Sequence, residues 1–397
     1  MRRTDQLEWV ARLRAETDDV AASPATTARR STAATAQRLV AASAWFWLIR
    51  GLFTEATDRL TEAAALDGPV PPAARALCTA YRAMAAAGDG DLTTASALLA
   101  DAERFAAELP ADRHAVLLLM GPVAAGFGRG DPVALERLAA DPHADPWARA
   151  FALFTRAQMA ENEGDLDRQR ADMRAAHEMF AALGDRWGLG MTLSSLGDLE
   201  SVAGEHDAGI RAFDEAIALA VELGNDDDLP QFRAERARLL VRRGEIATGR
   251  AELRRIVALP GLHPEQIGVL RGYLADAARR AGDLDDARAE LALAQAQGHP
   301  GPGALQRRAL QAALGSAIAR ADGDRAVSAE LLAEAVAAAT ESRDGPVTAA
   351  VAKLFLFDLV ALDGLARVAA FLGAGLLLLA AGSGSATAVT ASATSRA

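Results

Sequence analysis

Apolar residues recur along this chain at three- and four-residue intervals, in runs separated by short polar turns. That period is the signature of amphipathic helix, and no stretch shows the strict alternation of a half-buried strand. The breaks between runs share a form. A Gly followed by an acidic residue occurs at Gly88-Asp89, Gly130-Asp131, Gly164-Asp165, Gly204-Glu205, Gly244-Glu245, Gly282-Asp283 and Gly323-Asp324. From Gly164 the steps are 40, 40, 38 and 41 residues; Gly364 follows 41 further on, and Gly51 precedes Gly88 by 37. Gly suits the left-handed position that ends one helix, and an acid suits the positive N-terminus of the next.

The unit is therefore a helical hairpin, and the offsets from each turn say how its helices pack. Five residues after the Gly the chain is usually small (Ala56, Gly209, Gly249, Ala287, Ser328, Ala369). Nine after, it is usually large and apolar (Leu60, Met173, Phe213, Leu253, Leu291, Leu332). Twelve after, it is often Ala (Ala63, Ala176, Ala216, Ala294, Ala335). Small residues let two helices approach, and large ones fill the space toward the next hairpin. "LGDLESVAGEHDAGIRAFDEA" (Leu196 to Ala216) resembles the tetratricopeptide repeat (TPR) at Leu196, Gly197, Gly204, Gly209, Phe213 and Ala216, and the period near 40 looks like the longer MalT-like repeats. The fold expected is all-α, a right-handed superhelical solenoid of about eight or nine such hairpins. The hairpin at Gly130 departs most, because its second helix "DPVALERLAADPH" runs into Pro142 and Pro146.

Composition narrows the class. The chain has 397 residues, 51% hydrophobic, with aromatics at 5%, so it can bury a large helical core. A net charge of −11 gives no basic footprint, and no direct nucleic-acid binding is expected. Cys78 is alone, which excludes an internal disulfide and fits a reducing, cytoplasmic setting. Lys353 is the only lysine and Leu354 follows it, so there is no G-K-[ST] phosphate loop. "VAAFLGAGLLLLAAG" (Val368 to Gly382) is shorter than the roughly 20 residues of a spanning helix and reads as a buried terminal helix. No membrane association is expected.

Three further stretches resemble a narrower group: "LEWVARLRAETDD" (Leu7 to Asp19), "AWFWLIRG" (Ala44 to Gly51) and "FAALGDRWGLGMTLSSLGDL" (Phe180 to Leu199). In order and content they are similar to the C-terminal TPR region of AfsR/SARP-like bacterial transcriptional regulators. The resemblance implies a non-catalytic sensor module in signal transduction and transcription regulation, standing next to an NB-ARC-type ATPase and a DNA-binding domain whose own functional residues have no counterpart here. The alternative is a stand-alone TPR scaffold or adaptor for protein–protein interaction. A third reading, an α/α-toroid enzyme, would need inward carboxylate pairs and aromatic subsites. The domain reading is residues 1–33 as an N-terminal helix and an irregular linker broken at Pro24, 34–382 as the solenoid, and 383–397 as a disordered low-complexity tail.

First helices of stacked hairpins line a concave face. The register puts Gln158, Asp198, Gln231, Arg238, Arg242, Asp276, Arg279, Arg280 and Arg320 there, as candidates for holding a protein or peptide partner. Five are arginines, whose forked donors suit carboxylates and phosphates, so an acidic peptide or small anionic ligand is one reading. The other is structural: "VRRGE" and "RRAGD" place arginines in last helical turns, where they complement the helix dipole. "AWFWLIRG" reads as core or as an interface to a neighbouring domain, rather than a stacking platform. The six histidines include no H-E-x-x-H, no metal site or cofactor is expected, and "GNDDDLP" reads as helix capping rather than a calcium loop. "GFGRGD" (Gly126 to Asp131) lacks the preceding strand of a dinucleotide loop.

Overall fold

The computed structural model describes residues 4–16, 32–110, 114–128, 131–163, 165–297 and 304–342. Among them are 17 α-helices and no strand. In chain order they are α1 Gln6–Ala15, α2 Ala33–Leu48, α3 Phe53–Ala64, α4 Pro72–Gly88, α5 Leu92–Ala107, α6 Ala115–Val123, α7 Val133–Ala140, α8 Pro146–Glu163 and α9 Leu166–Leu183. There follow α10 Arg186–Ala203, α11 His206–Leu223, α12 Asp228–Arg243, α13 Ile246–Val257, α14 Pro264–Arg280, α15 Leu284–Ala296, α16 Ala304–Ala321 and α17 Arg325–Ser342. Among the described residues the fold is all-helical, built of TPR-like hairpins. It divides into two compact units, the first holding α1 to α12 up to Glu245, the second beginning at Ile246 with α13. The expected tail, the apolar stretch from Val368, the linker around Pro24 and the repeat at Gly364 lie outside the described residues.

The turns form as the punctuation demands. Gly51, Gly204, Gly244, Gly282 and Gly323 all have positive φ, between 70° and 106°. Asp165, Asp283 and Asp324 then accept from backbone N–H groups of the following helix: Arg168, Asp286 and Val327 at 3.0, 3.3 and 3.0 Å. One turn is displaced. Gly88 ends α4 in helical conformation, and the left-handed residue is Gly90 (φ 81°), with Asp91 capping Thr94 at 3.0 Å. Gly88 is small for another reason: a Cβ there would lie 2.3 Å from the ring of Phe53. Counted from Gly90 the packing offsets return, at Ala95, Leu99 and Ala102.

Those offsets are the core. Ala56, Leu60, Met173, Phe213, Leu253, Ala176, Ala216 and Ala335 are all buried. A Cβ on Gly197 would lie 2.8 Å from Phe213, and one on Gly209 would lie 2.8 Å from Leu239 and 3.0 Å from the Gly197 carbonyl oxygen. So Gly197 and Gly209 let α10 and α11 close up around the Phe213 ring. In the second unit Ala309, Ala312 and Ala313 of α16 meet Ala335, Ala338 and Ala339 of α17 in the same manner. The short hairpin is as expected: α7 has 8 residues, and α6 carries Pro122 and opens into a π turn at Ala124–Gly128. Pro122 lacks the N–H that a regular helix would use, and a π turn reorganises the hydrogen bonds around it.

The first unit also contains a junction between segments far apart in sequence. Trp45, Phe46 and Trp47 of α2 are buried, and Trp45 meets Trp147 and Trp187 edge-on at ring-centroid distances of 5.0 and 5.3 Å. Phe151 stacks on Trp187 at 5.9 Å. Beside them Asp185 is fully buried at the start of α10. Its carboxylate accepts from Gln6 Nε2 (2.8 Å), Trp147 Nε1 (2.7 Å) and the backbone N–H of Trp187 and Gly188 (3.1 and 3.4 Å). Gln6 Oε1 in turn accepts from the Arg186 N–H at 2.8 Å. Gln6, just before the first resembling stretch, Trp45 of the second and Asp185 and Trp187 of the third meet around this point together with Trp147, which belongs to none of them. "AWFWLIRG" is therefore core, covered by the chain's own aromatics.

Candidate functional site

Three hairpin-first helices of the first unit, α8, α10 and α12, carry the candidate positions Gln158, Asp198, Gln231, Arg238 and Arg242. Their apolar faces fix them. Leu199 points inward beside Asp198; Leu239 and Leu240 do so beside Arg238. At 3.6 residues per turn the intervening polar positions must face away from that core.

A connected polar network results. Arg238 donates through Nε to Glu235 Oε2 (2.5 Å), through Nη2 to Asp198 Oδ1 (3.1 Å) and through Nη1 to Ser201 Oγ (3.3 Å). Arg242 Nη1 donates to the same hydroxyl oxygen at 3.1 Å. Gln231 Nε2 donates to the other Glu235 oxygen at 3.0 Å. The structure thus brings Asp198, Gln231, Arg238 and Arg242 together, with Gln158 half-buried on α8. It adds Glu235, Ser201 and Glu161, which the sequence reading passed over. The signal for two of them was local: Glu235 precedes Arg238 by three and Ser201 follows Asp198 by three, one helical turn in each case.

Asp198 is the unusual member. Its side chain retains 45% exposure, and the protein packed on its other side partly desolvates the carboxyl. Desolvation raises its pKa well above the ordinary carboxylate range; Glu235 and Glu161 push the same way, against Arg238 and Arg242. Glu235, by contrast, is buried and held at both oxygens.

In the second unit the candidates Asp276, Arg279 and Arg280 form a closed set on α14. Arg279 reaches Asp276 Oδ1 through Nε and Nη2 at 3.1 and 2.6 Å, and Arg280 Nε reaches Oδ2 at 2.7 Å. Burial alone would raise the Asp276 pKa, but Arg280 and Arg279 outweigh it and hold the carboxyl below its usual value. Arg320 is half-buried in the last turn of α16. Arg242, Arg279 and Arg280 also sit in last helical turns, as the structural reading of "VRRGE" and "RRAGD" expects.

Other motifs are accounted for locally. In "GNDDDLP" the Asn225 side chain accepts from the Asp227 and Asp228 N–H groups at 3.2 and 3.1 Å and so caps α12. His263 joins Gln266 in a capping box at the start of α14. Cys78 is buried, and burial pushes its thiol up to about 11, which makes it a poor nucleophile. Among the described residues no group of three His, Cys, Asp or Glu side chains could hold a metal ion, and no helix is long and apolar enough to cross a membrane.

No family model matches the sequence, and no curated protein does. Solved structures do match. A Rap protein, crystallised in complex with competence and sporulation factor, aligns with a TM-score of 0.61 at 11% identity, over 88% of this chain and 99% of that one. At that identity the likeness is one of fold: the same helical-repeat architecture over nearly the whole length. The Cut9–Hcn1 hetero-tetramer of the APC/C aligns at a TM-score of 0.45 and 14% identity, covering 87% of this chain and 76% of that one.

Proposed function

We propose that this chain is a non-catalytic, peptide- or protein-binding regulatory module that acts in the bacterial cytoplasm. The observation that carries the reading is the polar network joining α10 and α12, with Gln158 of α8 half-buried. Successive repeats present hydrogen-bonding side chains on one face, anchored by buried apolar neighbours, and that arrangement grips an extended or helical segment. The shared fold with a Rap protein, itself seen with a bound factor, supports a scaffold of this type. The likeness to AfsR/SARP-like regulators supports a place beside an NB-ARC-type ATPase in a transcriptional regulator. Binding would act by favouring one arrangement of the repeats, so an effective ligand must bind two states unequally.

A displayed random-peptide library tests this. The native chain should enrich a family of peptides. Arg238→Ala with Arg242→Ala should reduce capture of those peptides about tenfold or more, with the far-UV helical signal unchanged. The same pair of changes at Arg279 and Arg280 asks whether the second unit takes part. Equal enrichment by all three proteins would remove these faces as the binding surface.

A further inference from the structure

The helix α1 is bound to the first unit rather than built into it. Of its ten residues only Gln6 and Val10 are buried; Leu7 and Leu13 are partly buried against the core, and the rest are exposed. No side-chain hydrogen bond from Asp5 caps its N-terminus. A helix this short is marginal in water by itself, so α1 owes its form to the surface beneath it. Gln6 fits that surface most closely: its Nε2 donates to Asp185 Oδ1 at 2.8 Å, and its Oε1 accepts from the Arg186 N–H at 2.8 Å. Beside it Thr4 lies against Gly184, where a Cβ would come within 2.7 Å of Thr4 Cγ2. The frame of this seat does not depend on α1. Asp185 also caps α10 through the Trp187 and Gly188 N–H groups and accepts from Trp147 Nε1. Release of α1 would leave open an acceptor position on Asp185 and the Arg186 donor, side by side. One primary carboxamide satisfies both. Burial pushes the Asp185 pKa up, and the Gln6 hydrogen bond leads those that oppose it.

We propose that this seat is a helix-binding site, filled in cis by α1 as a displaceable ligand and open in trans to a partner segment of the same pattern. That pattern is a carboxamide followed by aliphatic side chains one, four and seven positions on, as in Gln6, Leu7, Val10 and Leu13. Those offsets share one face of a helix, so a single amphipathic turn-and-a-half presents them together. Releasing α1 exposes few buried side chains, so it needs only local unfolding. The tether keeps α1 at a high effective concentration, and a free segment binds in proportion to the fraction of chains that are open. The site lies at the start of α10, away from Asp198, and does not depend on the polar face of α10 and α12 being a binding surface.

The probe is a fluorescein-labelled peptide of residues 4–16, titrated with the full chain and read by anisotropy. Val10→Asp in the chain weakens the cis ligand and leaves the seat unaltered. That protein should bind the peptide about tenfold or more tightly than the native chain does. Gln6→Ala in the peptide should weaken binding about tenfold. Gln6→Glu in the peptide should bind no better than Gln6→Ala, because it removes the N–H that meets Asp185. Equal affinity of the native and Val10→Asp chains, no binding to either, or equal binding of all three peptides would overturn the proposal. Hydrogen exchange on the native chain provides a test that needs no variant to fold. The α1 amides should exchange about tenfold or more faster than those of α10, with little dependence on denaturant. Exchange of α1 at the rate of α10 would also overturn the proposal.

Discussion

Two aspartates, one capping α10 and one within it, have opposite circumstances. Asp185, the N-cap, is fully buried and receives donors on both oxygens from α1, α8 and the helix it caps. Asp198, toward the other end, is nearly half exposed, receives one long contact and faces two further acids. A carboxylate saturated by its own chain joins the segments that supply the donors. A carboxylate with a single long contact ties together only the two helices that meet there, α10 and α12. The contrast teaches that burial and satisfaction must be read together. Burial raises the pKa at both sites, but only at Asp185 do four hydrogen bonds oppose it.

The comparison can be broken from its strongest side first. Phe213→Ala gives the scale for a purely apolar loss: it should cost about 3–5 kcal/mol in chemical denaturation, since the ring is buried between α10 and α11. A cost under about 1 kcal/mol would show that the repeat register is wrong. Asp185→Ala should cost about 3 kcal/mol, because it strands the Gln6 and Trp147 donors in a dry site. Hydrogen exchange should show α1 losing protection beyond any global change. If α1 stays protected, the junction is held by its aromatics alone.

Asp198→Asn should have the smallest effect and the opposite sign. The folded-state pKa of Asp198 is raised, so between the ordinary aspartate value and that raised value the folded chain holds a proton that the unfolded chain has lost. Its ionisation therefore erodes stability as pH rises through this window. The Asn variant should match or exceed native stability at pH 8, and the difference should shrink as pH falls toward 4. Asp276 has the reverse linkage: its lowered pKa gives stability that is present above the ordinary aspartate value and lost on acidification. Denaturant midpoints for both Asn variants, taken from pH 8 down to about pH 2, would show whether the two signs differ as stated.

Much of the fold is legible along the chain because its causes are local. Gly suits a left-handed turn wherever it falls, Asp caps the helix that follows, and an offset of five, nine or twelve residues from the turn is a fixed direction around a helix. Even the displaced turn at Gly90 obeys the same offsets; Gly88 misled because a contact with Phe53, not the turn, sets its size. The candidate face was legible in part. Helical register selected Asp198, Gln231, Arg238 and Arg242, but periodicity assigns a side without saying which charges are already neutralised there.

The sequence by itself thus determined the helices, their turns, the small-and-large packing code and the side on which the polar residues lie. These follow from backbone conformation and side-chain volume within one or two hairpins. Only the tertiary structure decided that Gln6, Trp45, Trp147 and Asp185 meet, and that Arg238 joins Glu235, Asp198 and Ser201. Those facts depend on distances between residues as many as 179 positions apart, and on a local dielectric set by everything packed around them. No rule of spacing along the chain contains either quantity.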